Sequence, residues 1–170
     1  MQQPPQMAQE ESPTPKKVDR SFEAIMPVVF GIEGTTPVED DGGSGFTLDG
    51  INANANNMTQ EQVEAMTHEQ KANLYRVRYW DKIGADQLPD NIRAQAFDAS
   101  VNQGTKATMK LLEKVKREDG SYDAKEFVKL RIQRYEGTLE SERYRDLPDS
   151  KKQEYFTSWM NRIKLMERFT

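Results

Sequence analysis

The stretch that decides the fold runs from Ser21 to Ile51 and reads SFEAIMPVVFGIEGTTPVEDDGGSGFTLDGI. Its first part places apolar side chains at the i, i+3, i+4, i+7 and i+8 spacing of one helix face, at Phe22, Ile25, Met26, Val29 and Phe30. Pro27 opposes this pattern, because proline removes a helical hydrogen bond. We expect a helix that ends at Glu33, followed by a loop rich in Gly, Asp and Thr.

Glu33 continues the apolar face of this helix, since it lies three residues after Phe30 and four after Val29. A carboxyl group there is expected to point toward the core or into a cleft beside it. Loss of hydration favours the protonated form, which is the form that a general acid needs near neutral pH. The alternative is a hydrated or capped residue at a helix end, which spacing alone does not exclude.

The loop after the helix carries several carboxylates, and a short hairpin is expected around residues 46–51. One interpretation makes one of these residues a second catalytic carboxylate, and the other assigns them to Asx turns and solvated loop charge. An EF-hand is excluded because its ligand spacing and terminal Glu are missing. The acidic residues are Glu39, Asp40, Asp41 and Asp49.

This succession of residues resembles the phage and bacterial muramidases of glycoside hydrolase family 108. In that family a helix ends in Glu-Gly-Gly, an Asp-Pro-Gly-Gly segment follows, and Thr-x-x-Gly-Ile-Thr completes the loop. Here Glu33-Gly34, Asp41-Gly42-Gly43 and Thr47–Ile51 occupy these places. Thr35 replaces the second Gly, the Pro is absent, and residues 44–46 widen the gap, so the loop geometry departs from the family pattern.

Further motifs of the family occur beyond the loop. A helix that begins at a threonine ends in Tyr79-Trp80, and Phe97-Asp98 precedes Val101-Asn102-Gln103-Gly104 at the family's spacing. The Arg-x-x-x-Tyr motif is matched by Arg131 and Tyr135. The final Gly-Trp-x-x-Arg motif keeps its Trp and Arg, as Trp159 and Arg162, and loses its Gly.

The resemblance implies a mainly α, lysozyme-like helical domain with a Gly/Asp-rich loop or small hairpin after the first helix. It also implies hydrolysis of the β-1,4 bond between N-acetylmuramic acid and N-acetylglucosamine. Glu33 would protonate the leaving oxygen, Asp41 would act as the base and Thr47 would position the attacking water. No metal or other cofactor is required. The expected substrate contacts are Tyr79, Trp80, Asn102 and Gln103.

Two of these contacts have structural alternatives. The aromatic pair Tyr79-Trp80 is suited to sugar rings, but aromatic pairs at a helix end more often pack in a core. Asn102 offers a donor and acceptors to an N-acetyl group, or it could cap the C-terminus of its helix.

Several helices follow from local signals. Thr59–Gln62 and Thr67–Gln70 are capping boxes that open helices through Met66 and through Tyr79 or Trp80. Met109, Leu112 and Val115 are expected to face inward from the helix at 105–117, and Trp159 is expected in the core. The other predicted helices run from Pro89 to Gln103, from 123 to 142 and from 150 to 169.

Composition sets the remaining expectations. The chain has 170 residues, no Cys and a net charge of −4, which excludes disulfides and gives no support for nucleic-acid binding. Residues 1–18, rich in Gln, Pro and Glu, predict a disordered arm. Residues 19–170 then form a single domain with a catalytic part at 19–104 and a C-terminal helical part at 105–170.

The expected partners are peptidoglycan and, through the arm, phage structural proteins. No signal peptide and no membrane insertion are expected. The protein would therefore act as a virion component, or as an endolysin that passes from the host cytoplasm to the periplasm and cell wall. The alternative to an enzyme is a catalytically degenerate structural component of a phage particle with the same fold.

Overall fold

The computed structural model describes residues 18–34 and 45–170, so Asp41 and the arm at 1–17 lie outside the described residues. This part of the chain is mainly helical, as the sequence predicts. Its helices are α1 Phe22–Glu33, α2 Gln60–Glu64, α3 His68–Tyr75, α4 Asp90–Gln103, α5 Thr105–Val115, α6 Ala124–Leu139, α7 Glu142–Arg145 and α8 Asp149–Met166. Short 3-10 turns occur at Asn54–Asn56, Asp81–Ile83, Ala85–Gln87 and Glu167–Phe169.

Helix α1 forms as its periodicity predicts. The Ser21 side chain caps it by accepting from the backbone N–H of Ala24 at 3.3 Å. Its buried side chains are Phe22, Ile25, Met26 and Val29. Pro27 is tolerated because it lies on the exposed side, where water can satisfy the carbonyl left without an N–H partner. Gly34 ends the helix at a φ of 82°, and its N–H donates to the carbonyl of Phe30.

A small hairpin follows the first helix, as expected. Strands β1 (Thr47–Leu48) and β2 (Ile51–Asn52) pair antiparallel, with Leu48 opposite Ile51. The turn between them is Asp49-Gly50, with φ angles of 51° and 71°. Positive φ at both central residues is the geometry of a type I′ turn, which Asp-Gly favours.

Both capping boxes are confirmed, at the starts of α2 and α3. The second helix was expected to run unbroken to Tyr79 or Trp80. It instead leaves α geometry after Tyr75 and continues as a π-helical segment, Arg76–Trp80. This wider winding turns Trp80 into the core, where it meets the rings of Phe22 at 5.3 Å and Phe97 at 5.2 Å. Single π turns are frequent at functional sites.

Helix α4 lies at the centre of the described structure. Every residue from 94 to 100 is buried, including the polar Gln95, Asp98 and Ser100. The π-helical segment and helices α5, α6 and α8 all pack against it. Water cannot reach the polar side chains of this buried stretch, so they must find hydrogen-bond partners within the protein.

The C-terminal helices have the predicted order with shorter bounds. Leu112 and Val115 of α5 are buried as predicted, but the prediction for Met109 was wrong, because its side chain is 51% exposed. Successive residues are about 100° apart around a helix, so Met109 projects to one side of the buried face, which also includes Thr108 and Leu111. Trp159 is half-buried and stacks on Tyr135 at 4.7 Å. Among the described helices, none combines the length and the apolar character needed to cross a membrane.

Candidate active site

The site begins with the side chain of Glu33 at the end of α1. This side chain is 20% exposed, so it reaches solvent at the protein surface without projecting freely into it. Its Oε1 accepts a hydrogen bond from Nη2 of Arg162 in α8, at 2.5 Å. Glu33 therefore has a cationic partner that the helical periodicity did not indicate.

The hairpin turn packs against the other side of Glu33. A Cβ atom at Gly50 would lie 3.1 Å from Oε2 of Glu33 and would overlap the hydroxyl oxygen of Tyr75. Glycine is therefore required at this position both by the positive φ and by the close approach of two side chains. Gly50 fixes how near the hairpin comes to the carboxylate.

Tyr75 and Lys71 hold the turn beside Glu33. The Tyr75 hydroxyl donates to the carbonyl of Asp49 at 2.9 Å, and Lys71 forms an ion pair with the Asp49 carboxylate. Burial, reinforced by the Glu33 carboxylate, raises the pKa of Tyr75 above its ordinary value. Burial also raises the pKa of Tyr79, with a smaller contribution in the same direction from Glu33 and an opposing one from Arg78. Both phenols are therefore neutral donors at pH 7.

A buried network of four charges connects Glu33 to the centre of the protein. We call Glu33, Arg162, Asp98 and Arg131 the four-charge network. Asp98 is fully buried and accepts from Arg162 Nε at 2.8 Å through Oδ1 and from Arg131 Nη2 at 2.7 Å through Oδ2. Arg131 also donates to the side-chain oxygen of Gln95 at 2.6 Å. Burial opposes the charge of Arg162, but Asp98 and Glu33 together raise its pKa.

A groove runs between α1 and α8 next to this network. It has a volume of about 930 Å³, and Arg162 forms part of its wall. This volume lies at the upper end of the range typical of ligand sites. One side is formed by Val28, Gly31 and Ile32 of α1, and the other includes Gln153, Thr157 and Asn161 of α8. Ile32, the residue before Glu33, therefore lines the groove.

Comparisons with known protein families and solved structures each give one match. Residues 26–104, from the middle of α1 to the end of α4, match the family model described as Glycosyl hydrolase 108. This match confirms the resemblance that the sequence indicated and supports a glycoside hydrolase of the peptidoglycan-cleaving kind. The predicted mainly α, lysozyme-like fold class is also confirmed.

A solved structure, that of SagA from Brucella abortus, resembles this chain in fold. The two have 22% sequence identity and a TM-score of 0.59, over 86% of this chain and 91% of SagA. No curated protein matches the chain. Because it covers 86% of this chain, the fold similarity extends beyond residues 26–104.

The site residues expected from the sequence lie in different surroundings in the hydrolase. Thr47 is half-buried in β1, where its Oγ1 accepts from Asn52 at 3.0 Å. Asn102 is exposed near the end of α4, and its Oδ1 accepts from the Tyr135 hydroxyl at 2.6 Å. Gln103, half-buried, donates to the carbonyl of Arg131 at 3.1 Å. Asp41 lies outside the described residues.

Tyr79 and Trp80, for which sugar contact and core packing were the two interpretations, lie in different surroundings. Trp80 is 1% exposed and packs in the core, which favours the structural interpretation over contact with a sugar. Tyr79 is half-buried and lies 5.2 Å from the ring of Tyr75, close enough to Glu33 for its phenol to respond to the carboxylate. Of the pair, Tyr79 is therefore the member that lies on the Glu33 side of the π-helical turn.

Three residues at the site were not assigned a role from the sequence: Arg162, Asp98 and Tyr75. Arg162 and Asp98 do fall in motifs of the hydrolase family, so the motifs marked the positions without indicating that they meet. Across residues 18–34 and 45–170, no three His, Asp or Glu side chains converge in a way that could hold a metal ion.

Proposed function

We propose that this glycoside hydrolase cleaves the β-1,4 bond between N-acetylmuramic acid and N-acetylglucosamine, with Glu33 as the general acid. The observation that carries the proposal is the placement of Glu33. Its partly exposed carboxyl group lies where the end of α1, the hairpin turn and α8 meet, next to the groove between α1 and α8. A glycosidic oxygen bound there could receive its proton.

The proposed reaction starts from protonated Glu33. Its proton passes to the glycosidic oxygen, the bond from this oxygen to the sugar's anomeric carbon breaks, and an oxocarbenium-like transition state develops. Water then adds to the anomeric carbon. In this scheme Asp41 is the base that accepts a proton from the water, and Thr47 helps to position it.

The groove supplies surfaces that suit a glycan strand. Side-chain amides and a hydroxyl from Gln153, Thr157 and Asn161 face apolar atoms of Val28 and Ile32 across it. Sugars present hydroxyl edges and apolar C–H faces, so a wall of each kind complements them. Tyr79, Asn102 and Gln103 remain proposed contacts for the parts of the glycan beyond the cleaved bond.

The products of peptidoglycan digestion test which glycosidic bond is cleaved and whether Glu33 is the general acid. Purified peptidoglycan is digested, the new reducing ends are reduced with borohydride, and the fragments are identified by mass spectrometry. We expect reduced N-acetylmuramic acid from the parental protein and none above background from Glu33→Gln. Glu64→Gln, which alters an exposed carboxylate on α2, is the matched control. Reduced N-acetylglucosamine would overturn the proposed bond, and full activity of Glu33→Gln would overturn the proposed acid.

The biological setting we propose is a phage particle, where the enzyme opens the wall locally and the Pro/Gln-rich arm tethers it. A free endolysin is the second setting for the same chemistry. Mass spectrometry of purified particles separates them, because a virion component is retained through purification and an endolysin is not.

A structural component without catalysis is the second candidate function, and one contact favours it. The Oε1 atom of Glu33 is occupied by its ion pair with Arg162, whereas a general acid must present its carboxyl group to the glycosidic oxygen. A zymogram on peptidoglycan over a range of acidic to neutral pH decides between the candidates, because the structural component would clear the substrate at no pH.

A further inference from the structure

Four aromatic side chains of α6, α7 and α8 pack against one another at the protein surface. We call Tyr135, Tyr144, Tyr155 and Trp159 the aromatic shelf. We propose that the aromatic shelf is a sugar-binding subsite, on which a pyranose ring of the glycan strand stacks next to the cleaved bond. This inference deepens the proposed hydrolysis of peptidoglycan and rests on the proposed placement of the cleaved bond at Glu33.

Each ring of the aromatic shelf is held in place by another. Tyr135 lies nearly parallel to Trp159, with 4.7 Å between the ring centroids and 13° between the planes. Tyr144 meets Tyr155 edge to face at 5.2 Å and meets Trp159 at 6.1 Å. Aromatic contacts of this kind favour defined ring orientations. The aromatic shelf is therefore a preformed surface, which avoids part of the entropy cost of ordering side chains on binding.

The described part of the chain covers the aromatic shelf only in part. Tyr135 is 2% exposed and forms its buried end, whereas Trp159 and Tyr144 are half-buried and Tyr155 is 42% exposed. Among the described residues, no other aromatic side chain is as exposed as Tyr155. A sugar that covered this ring would remove apolar surface from water, which favours binding.

The aromatic shelf begins next to the four-charge network. Trp159 precedes Arg162 by three residues in α8, so the two are neighbours on the helix surface. The Tyr135 hydroxyl, beside Trp159, donates to Asn102 at 2.6 Å. Asn102 in turn follows Asp98 by four residues in α4. The aromatic shelf therefore starts within one helical turn, about 5.4 Å, of the arginine bonded to the proposed acid.

The chemistry of this surface suits an N-acetylated sugar. A β-linked pyranose presents C–H bonds on its faces, and their partial positive charge complements the negative face of an aromatic ring. Its hydroxyl and acetamido groups lie at the edge of the ring and need hydrogen-bond partners. Asn102, which is exposed, accepts from Tyr135 through its oxygen, so its N–H groups are the donors that it can offer to an acetyl carbonyl.

Tryptophan fluorescence tests the proposal directly, because the chain has two tryptophans in different surroundings. Trp80 is 1% exposed in the core, whereas Trp159 belongs to the aromatic shelf. Full-length Glu33→Gln protein, chosen to avoid cleavage, is titrated with glycan strands that an amidase has freed of stem peptides. We expect a saturable change in emission that is lost in Glu33→Gln/Trp159→Phe, where Trp80 alone emits. No change, or an equal change without Trp159, would overturn the inference.

Two substitutions of Tyr155 in the same background separate stacking from packing. Tyr155→Leu keeps an apolar side chain but removes the flat ring, so Kd for the glycan should rise severalfold while thermal unfolding changes little. Tyr155→Phe keeps the ring and should keep the Kd. An unchanged Kd in Tyr155→Leu would overturn the inference, and equal weakening in Tyr155→Phe would assign the effect to the hydroxyl and contradict stacking.

Met109→Ala is the matched control, because it alters another exposed apolar side chain, 51% exposed on α5. Its Kd should equal that of the background protein, and a rise as large as that of Tyr155→Leu would show a nonspecific effect and contradict the subsite. Binding and cleavage are separate measurements. If the parental protein releases no new reducing ends but Trp159 responds to the glycan, the subsite stands and the proposed hydrolysis falls. If the parental protein cleaves and Trp159 does not respond, the hydrolysis stands and the subsite falls.

Discussion

The Nη2 atom of Arg162 lies 2.5 Å from Oε1 of Glu33, although 129 residues separate the two in the chain. Glu33 is supplied by the first helix and its cationic partner by the last. Asp98 of the central helix holds Arg162 in place. The candidate active site thus depends on three helices that are distant in sequence.

Replacing Gly50 with Ala should destabilise the protein and impair the site. The added Cβ would overlap the Tyr75 hydroxyl oxygen at a φ of 71°, so the turn must shift away from Glu33. We expect a loss of about 1–3 kcal/mol in the free energy of unfolding and reduced peptidoglycan cleavage. Gly137→Ala is the control. Outside its own helix backbone, no atom lies within 4 Å of the position that the new methyl group would take, and as a helical substitution it should stabilise slightly.

Replacing Asp98 with Asn should destabilise the protein more strongly. Two buried arginines, Arg131 and Arg162, would lose their shared carboxylate. Breaking a buried pair from one side typically costs about 3–5 kcal/mol, measured here by urea unfolding. Asp146→Asn, at a side chain that is 89% exposed, should change the free energy of unfolding very little. Equal effects of the two substitutions would contradict the burial of Asp98.

The stability of the protein should fall at alkaline pH. Burial raises the pKa of Tyr75 in the folded state, so the folded protein retains a proton that the unfolded chain loses near pH 10. The contribution is complete below about pH 10 and is lost as the pH rises further. Unfolding free energies measured from pH 8 to 11 should therefore decline less steeply for Tyr75→Phe. Tyr155→Phe, at a ring that is 42% exposed, should keep the parental slope.

Replacing Asn102 with Ala tests its proposed contact with the glycan. Asn102 is exposed, so we expect a severalfold rise in KM with little change in thermal stability. Tyr135→Phe removes the hydroxyl that donates to Asn102 and serves as the comparison, because it leaves the amide in place. If Asn102→Ala lowers the melting temperature and leaves KM unchanged, the amide has only a structural role in its helix.

Much of the fold could be predicted because its signals are local. The apolar spacing and Ser21 cap define α1, the two capping boxes define the starts of α2 and α3, and Asp49-Gly50 defines the hairpin turn. In each case the residues that form the element also carry the signal. The prediction for Met109 was wrong because apolar spacing along one helix does not show which part of that helix its neighbours cover.

The site was less predictable because it depends on contacts between distant segments. The sequence predicted that Glu33 faces the core or a cleft, but it could not show that Arg162 pairs with Glu33 and that Asp98 pairs with Arg162. These contacts arise only through the packing of α1, α4 and α8. The π-helical winding at Arg76–Trp80, which ends at the buried Trp80, was not predicted from the residues of that segment. Motif matches identified these positions without revealing their mutual geometry.

The sharing of Asp98 between two arginines has a consequence for how this hydrolase could be divided. A fragment that stops after Gly104 would retain Glu33 and the hairpin but would strip Asp98 of both guanidinium groups and uncover one side of α4. The segment that bears the family signature is therefore not a self-sufficient module. Transfer of this segment to another protein would therefore have to include the four helices that follow it, α5 to α8.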